Sequence, residues 1–96
     1  MFRPIDPGHA GVLHVLTSPL IEARAVRHLD AAGMPDIAGL HEEAKTMSGG
    51  EALLVHVASD LWSATRTVGL TDVVRRLDGD SFTRVVQALR LSRLAA

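Results

Sequence analysis

The segment SGGEALLVHVASDLWS, residues 48–63, decides the fold because it predicts one long and almost wholly apolar helix. Ser48 and Glu51 have the spacing of a capping box, in which the serine hydroxyl accepts from the third backbone N–H and the glutamate reaches back. The helix predicted over 49–64 keeps a single polar stripe. A helix this apolar belongs at the centre of a domain or in an oligomer interface.

Shorter segments upstream of this helix also favour helices. Ser18-Pro19 has the residue types of a helix cap followed by a first helical residue, and Gly33 and then Pro35 are expected to end that helix. A second amphipathic helix is predicted over 36–47. The run 9–17 suits a short helix or a strand, and we favour helix because no other segment offers a convincing strand to pair with it.

Downstream, Thr71 is expected to cap a short helix over 72–78, and Asp80 or Ser81 to begin the last helix. The residues expected to face inward from that last helix are Phe82, Val85, Val86 and Leu89. The sequence therefore predicts an all-α protein, a compact bundle of four to five helices. Residues 1–8 form an irregular N-terminal arm and residues 9–96 a single helical domain.

Composition excludes several classes of protein. The 96 residues suit one domain, and 10 basic against 11 acidic side chains exclude a strongly basic nucleic-acid scaffold. There is no cysteine and hence no thiolate chemistry. The longest apolar stretch, residues 52–55, is far shorter than a membrane span. We expect a cytoplasmic protein without membrane association, and the excess of arginine over lysine indicates a bacterium or phage.

Motifs that resemble catalytic signatures lack their partners. Residues 47–51 look like the signature motif of ABC-type ATPases, and residues 39–46 come close to a phosphate-binding loop, but Ala44 replaces the second glycine and no strand precedes it. His41-Glu42 begins a zinc-peptidase pattern, yet position 45 is lysine. A site assembled from dispersed histidines is left open. We predict no enzymatic activity and no cofactor.

The polar stripe of the long helix contains the residue types of a hydrolase triad. It consists of His56, Ser59, Asp60 and Ser63. A triad needs the histidine between the nucleophile and the carboxylate, which side chains from one helical face do not normally achieve. The stripe is therefore interpreted as a polar ridge on a buried helix.

The apolar content points to association with other proteins. Hydrophobic residues make up 47% of a chain that is small and has much surface per residue, so some apolar area is expected to stay exposed. The sequence predicts a non-catalytic helical interaction module, a regulator or adaptor that binds a protein partner and self-associates as a homodimer. The predicted contact residues are Leu53, Val57, Leu61 and Trp62, with Trp62 as the anchor.

The C-terminal quarter supplies an alternative function. Residues 70–94 resemble the helix-turn-helix of small bacterial regulators, which implies that the second helix enters the major groove of DNA. The positions that would read bases are Ser81, Thr83, Arg84 and Gln87, and those near phosphates are Arg75, Arg76, Arg90 and Arg93. Asp78 and Asp80 flank the turn and oppose phosphate binding, as does the nearly neutral chain.

Overall fold

The computed structural model describes residues 2–93, which form six α-helices and one turn of 3-10 helix and contain no strand. The α-helices are α1 (Pro7–Leu16), α2 (Glu22–Ala25), α3 (Ile37–Ala44), α4 (Gly49–Ser63), α5 (Leu70–Arg76) and α6 (Gly79–Arg93). The predicted all-α bundle is confirmed. The six α-helices of residues 2–93 are one more than the four to five predicted, and one of the six, α2, is a single turn.

Helix α4 begins and ends where the sequence predicts and lies at the centre of the core. The capping box is present: Ser48 Oγ accepts from the Glu51 N–H, and Glu51 Oε1 accepts from the Ser48 N–H at 3.1 Å. The apolar residues that α4 buries are Leu53, Leu54, Val55, Val57 and Ala58. The helix stops at Ala64, whose backbone is left-handed with φ 54°. The other helices pack around this element.

Within residues 2–93, helices α1 and α6 make the most extensive helix–helix contact. Asp6 caps α1 by accepting from the His9 N–H at 2.8 Å, so the helix begins at Pro7. At Gly11, a methyl group would overlap the Ser92 hydroxyl and lie 2.8 Å from the carbonyl oxygen of Ala88. A hydrogen atom at Gly11 is therefore what lets the two backbones approach.

The continuous helix predicted after Ser18-Pro19 is wrong. The chain forms only α2 and one 3-10 turn, Val26–His28, before Leu29 becomes extended. The physical reason lies in Asp30, whose side chain accepts from the backbone N–H groups of Ala32 and Met34 at 2.9 Å. A short acidic side chain that binds nearby backbone in this way offers the chain an alternative to helix.

The ends of helices α3, α5 and α6 also differ from the predictions by a few residues. Helix α3, predicted over 36–47, is capped by Asp36 and ends at Ala44. Helix α5 begins after Gly69 rather than Thr71, and it ends at Arg76. Helix α6 begins at Gly79, because its cap is Asp78 rather than Asp80 or Ser81. The Asp78 carboxylate accepts from the backbone N–H of Ser81 at 2.7 Å.

The buried face of α6 also differs from the prediction. Ser81, Val85 and Ala88 are buried, whereas Phe82 and Leu89 are 38% and 46% exposed. Ala88 and Ser92 lie against Gly11 of α1, where the close approach leaves no room for larger side chains. The larger apolar residues are consequently turned away from the core.

The approach of α1 and α6 predicts the effect of adding one methyl group. We expect Gly11→Ala to lower the free energy of unfolding by about 1–3 kcal/mol, because overlap with the Ala88 carbonyl costs more than the gain in helix propensity. Gly49→Ala is the control: its added methyl group meets nothing within 4 Å. Urea unfolding measures both variants, and equal stability of the two would contradict the steric account.

Candidate interaction surface

An open apolar groove of about 190 Å³ lies between α4, α5 and α6. We call it the α4–α6 groove. Its lining residues are Val57, Asp60, Leu61, Val68, Leu70, Val73, Val85 and Leu89. Leu70 on its rim is 82% exposed, so a large apolar side chain stands beside an apolar depression.

The structure separates the four residues predicted to contact a partner. Val57 and Leu61 line the α4–α6 groove. Leu53 is buried in the core, out of reach of a partner in this conformation. Trp62 is 36% exposed and packs against His9, with ring centroids 5.6 Å apart. Two of the four residues therefore share one surface, and Trp62 is not among the groove residues.

Sequence reasoning missed the exposed residues of the groove. Leu89 is predicted to face inward and Leu70 has no predicted contact, yet they are 46% and 82% exposed on the groove. Val74 follows Leu70 by one helical turn and is 68% exposed outside the groove lining. One signal was available: α5 has seven residues and carries three large apolar side chains. A helix this short, lying on the surface of a domain, buries only one narrow stripe.

Asp60 fixes the loop that forms one wall of the groove. Its carboxylate accepts from the hydroxyl of Thr65, from the backbone N–H and hydroxyl of Thr67, and from the Val68 N–H at 2.8 Å. Burial raises the pKa of Asp60, but these hydrogen bonds outweigh it and lower that pKa to about 2. The ionised carboxylate thus holds Val68 in place.

The polar ridge of α4 does not form a triad. Ser59 is fully buried, and its hydroxyl lies 2.9 Å from Nε2 of His41, a contact between α3 and α4 that the sequence did not reveal. Ser63 donates to the carbonyl oxygen of Ser59, and Asp60 is committed to the loop. Ser59 is therefore closed to solvent, and its hydroxyl joins two helices.

The histidines hold separate parts of the fold. Nε2 of His9 lies 2.8 Å from the Gly33 carbonyl oxygen, and the ring of His41 packs against that of His56. Burial and the neighbouring His41 lower the pKa of His56, and Asp60 opposes this effect. Across residues 2–93, no three His, Asp or Glu side chains converge in a way that could hold a metal ion.

Glu43 joins α3 to the segment that contains α2. It lies 2.6 Å from Arg24, 2.8 Å from Arg27 and 3.0 Å from His28. Hydrogen bonds from His28 and Arg24, with the charge of Arg27, lower the pKa of Glu43 to about 2. This cluster is satisfied within the fold, and it ties the irregular segment after α2 to the bundle.

A larger recess of about 610 Å³ borders α1, the N-terminal arm and α6. Its cationic wall is Arg84, whose Nη1 donates to the carbonyl oxygen of His14 at 2.9 Å. His14 in turn lies 2.7 Å from Oε1 of Gln87. These groups connect α6 to α1.

Most of the residues that the helix-turn-helix resemblance assigns to DNA bases are instead buried or bonded within the fold. Ser81 is buried against the core. Arg84 and Gln87 are bonded to His14, and Thr83 is exposed. The arginines assigned to phosphates are all exposed: Arg75, Arg76, Arg90 and Arg93. The ion pairs formed within residues 2–93 involve none of these four.

Comparisons with protein families, curated proteins and solved structures find no match to this chain. Within residues 2–93, no helix is both long enough and apolar enough to cross a lipid bilayer. What the protein does must therefore follow from its own side chains and their arrangement.

The Asp60 contacts predict a pH-dependent stability. Because the pKa of Asp60 is lowered from 3.8 to about 2 in the folded protein, its stabilising contribution is complete well above pH 3.8 and is lost as the pH falls towards 2. We expect Asp60→Asn to lower the free energy of unfolding at pH 7 by about 1–3 kcal/mol.

The same variant should also show a shallower fall in stability between about pH 5 and pH 2. Urea unfolding over this pH range measures the slope. Asp72→Asn controls for the loss of one negative charge, since Asp72 is an exposed residue of α5. A slope for Asp60→Asn equal to that of the unmodified protein would show that the carboxylate does not anchor the loop.

Proposed function

We propose that this protein is a small non-catalytic protein–protein interaction module, a regulator or adaptor, that self-associates through the α4–α6 groove. The observation that supports this proposal is the exposed Leu70 beside a groove lined by Val57 and Leu61. A single exposed leucine is common. Apolar side chains that continue into an apolar depression are typical of association sites.

A second copy of the chain is the partner that this surface favours. A two-fold dimer places the same patch of each subunit against the other, so the patch must contain both a projection and a depression. The rim at Leu70 supplies the projection and the groove supplies the depression. An interaction role also agrees with the burial of Ser59 and the commitment of Asp60 to its loop. A cytoplasmic module from a bacterium or phage stays a prediction from composition.

Self-association is tested by light scattering coupled to size exclusion. We expect the unmodified chain to be dimeric at high micromolar concentration and Leu70→Glu to shift it towards monomer, because a carboxylate cannot enter an apolar groove without a large desolvation cost. Ile5→Glu is the control, since Ile5 is 61% exposed and does not line the groove. A strict monomer for the unmodified chain rejects this function.

DNA binding through α5 and α6 is the second candidate function. It is supported by four exposed arginines that form no ion pair within residues 2–93: Arg75, Arg76, Arg90 and Arg93. A helix pair that holds DNA through phosphates alone should bind more weakly as salt increases. We expect the double variant Arg75→Ala, Arg76→Ala to bind duplex DNA more weakly. The slope of log binding constant against log salt concentration should become shallower by about two. Fluorescence anisotropy with labelled duplex, from 50 to about 200 mM salt, measures this. Binding that does not depend on salt, or no binding, rejects the DNA alternative.

A further inference from the structure

Helix α6 carries an exposed apolar stripe with opposite charges at its two ends. Phe82, Val86 and Leu89 follow one another at spacings of four and three residues, which place side chains on one side of a helix. Asp78 precedes Phe82 by four residues, and Arg93 follows Leu89 by four. The same spacing, alternating between four and three, forms the contact seam of helices that pair side by side.

Within residues 2–93, the rest of the protein covers this stripe only in part. Phe82 is 38% exposed, Leu89 is 46% exposed and Val86 is half-buried. Leu89 also lines the α4–α6 groove, so at this residue the stripe adjoins the surface proposed above for self-association. The stripe therefore extends that surface along α6.

The charges at the ends of the stripe cannot meet within one chain. Asp78 and Arg93 are fifteen residues apart along α6, which corresponds to about 22 Å. Hydrogen bonds from Ser81 hold the pKa of Asp78 below its ordinary value, so its carboxylate is ionised at neutral pH. Arg93 is exposed. Each end of the stripe thus presents a charge that a partner can neutralise.

We propose that the partner is a second copy whose α6 lies antiparallel along this stripe, so that Asp78 faces the partner's Arg93. This inference rests on the proposed self-association. In an antiparallel pair, facing residues have numbers with a constant sum. The residue numbers of Asp78 and the partner's Arg93 have the same sum as those of Phe82 and the partner's Leu89. One register therefore allows both the ionic and the apolar contacts.

The charges also select the direction of pairing. A parallel pair would place the two Asp78 side chains together and the two Arg93 side chains together, and like charges repel. An antiparallel pair related by a two-fold axis forms two opposite-charge contacts, one at each end. The axis then passes close to Val86 of both copies. A helix of another protein would have no reason to repeat this charge order in reverse.

A double-mutant cycle tests the ionic contact. Asp78→Asn removes the charge but keeps a good helix cap, because asparagine caps as well as aspartate. Arg93→Gln removes the opposite charge. We expect each variant to raise the dimer Kd roughly three- to tenfold, since two exposed ion pairs are lost per dimer, and the double variant to raise it no further than either single change.

The cycle distinguishes this pairing from indirect effects. Residues about 22 Å apart in one chain should change the Kd independently, so their effects would multiply. Multiplied effects would overturn the antiparallel register. The dimer Kd is measured by sedimentation equilibrium of the full chain, with urea unfolding to confirm that each variant folds.

A cysteine cross-link tests the position of the two-fold axis. The chain contains no cysteine, so Val86→Cys introduces a single thiol where the axis should pass. We expect oxidation to yield a covalent dimer, whereas Ala38→Cys, on the exposed side of α3, should not cross-link. A dimer in which Val86→Cys fails to cross-link overturns this register but leaves the proposed function standing. A strictly monomeric chain overturns both.

Discussion

The close contact between α1 and α6 at Gly11 governs how the other helices of this protein are arranged. It joins the beginning and the end of the described chain, and it requires a residue without a side chain opposite the Ala88 carbonyl. Once the two backbones lie this close, α6 must turn its small residues inward. Its rotation about its own axis is thereby fixed, and the bonds from Arg84 and Gln87 to His14 hold it there.

The rotation of α6 has two consequences for function. Three of the four residues assigned to DNA bases are engaged within the fold, since Ser81 is buried and both Arg84 and Gln87 are bonded to His14 of α1, while Thr83 is exposed. The larger apolar residues, Phe82 and Leu89, are left on the surface. One steric fit therefore engages most of the residues assigned to bases and leaves exposed the apolar side chains on which the proposed self-association rests.

Local signals predicted some elements correctly and failed at others for definable reasons. The capping box at Ser48 and Glu51 satisfies backbone groups with neighbours three residues away, so it needs no distant partner and could be recognised directly. Asp30 instead ended a helix that the apolar spacing predicted, by accepting from backbone groups just beyond it. Aspartate can act as a cap, a turn residue or a surface residue, and sequence spacing does not select among these roles.

The helical class and the central helix α4 can be read from local sequence, because caps and apolar periodicity act within a few residues. The tertiary structure alone decided that Val57 and Leu61 join Leu70 and Leu89 in one groove, while Leu53 is buried and Trp62 faces His9. Amphipathic patterns give the width of an apolar face but not which part of it another element covers. That choice depends on how closely helices distant in sequence can approach, and in this chain the approach is set by a glycine.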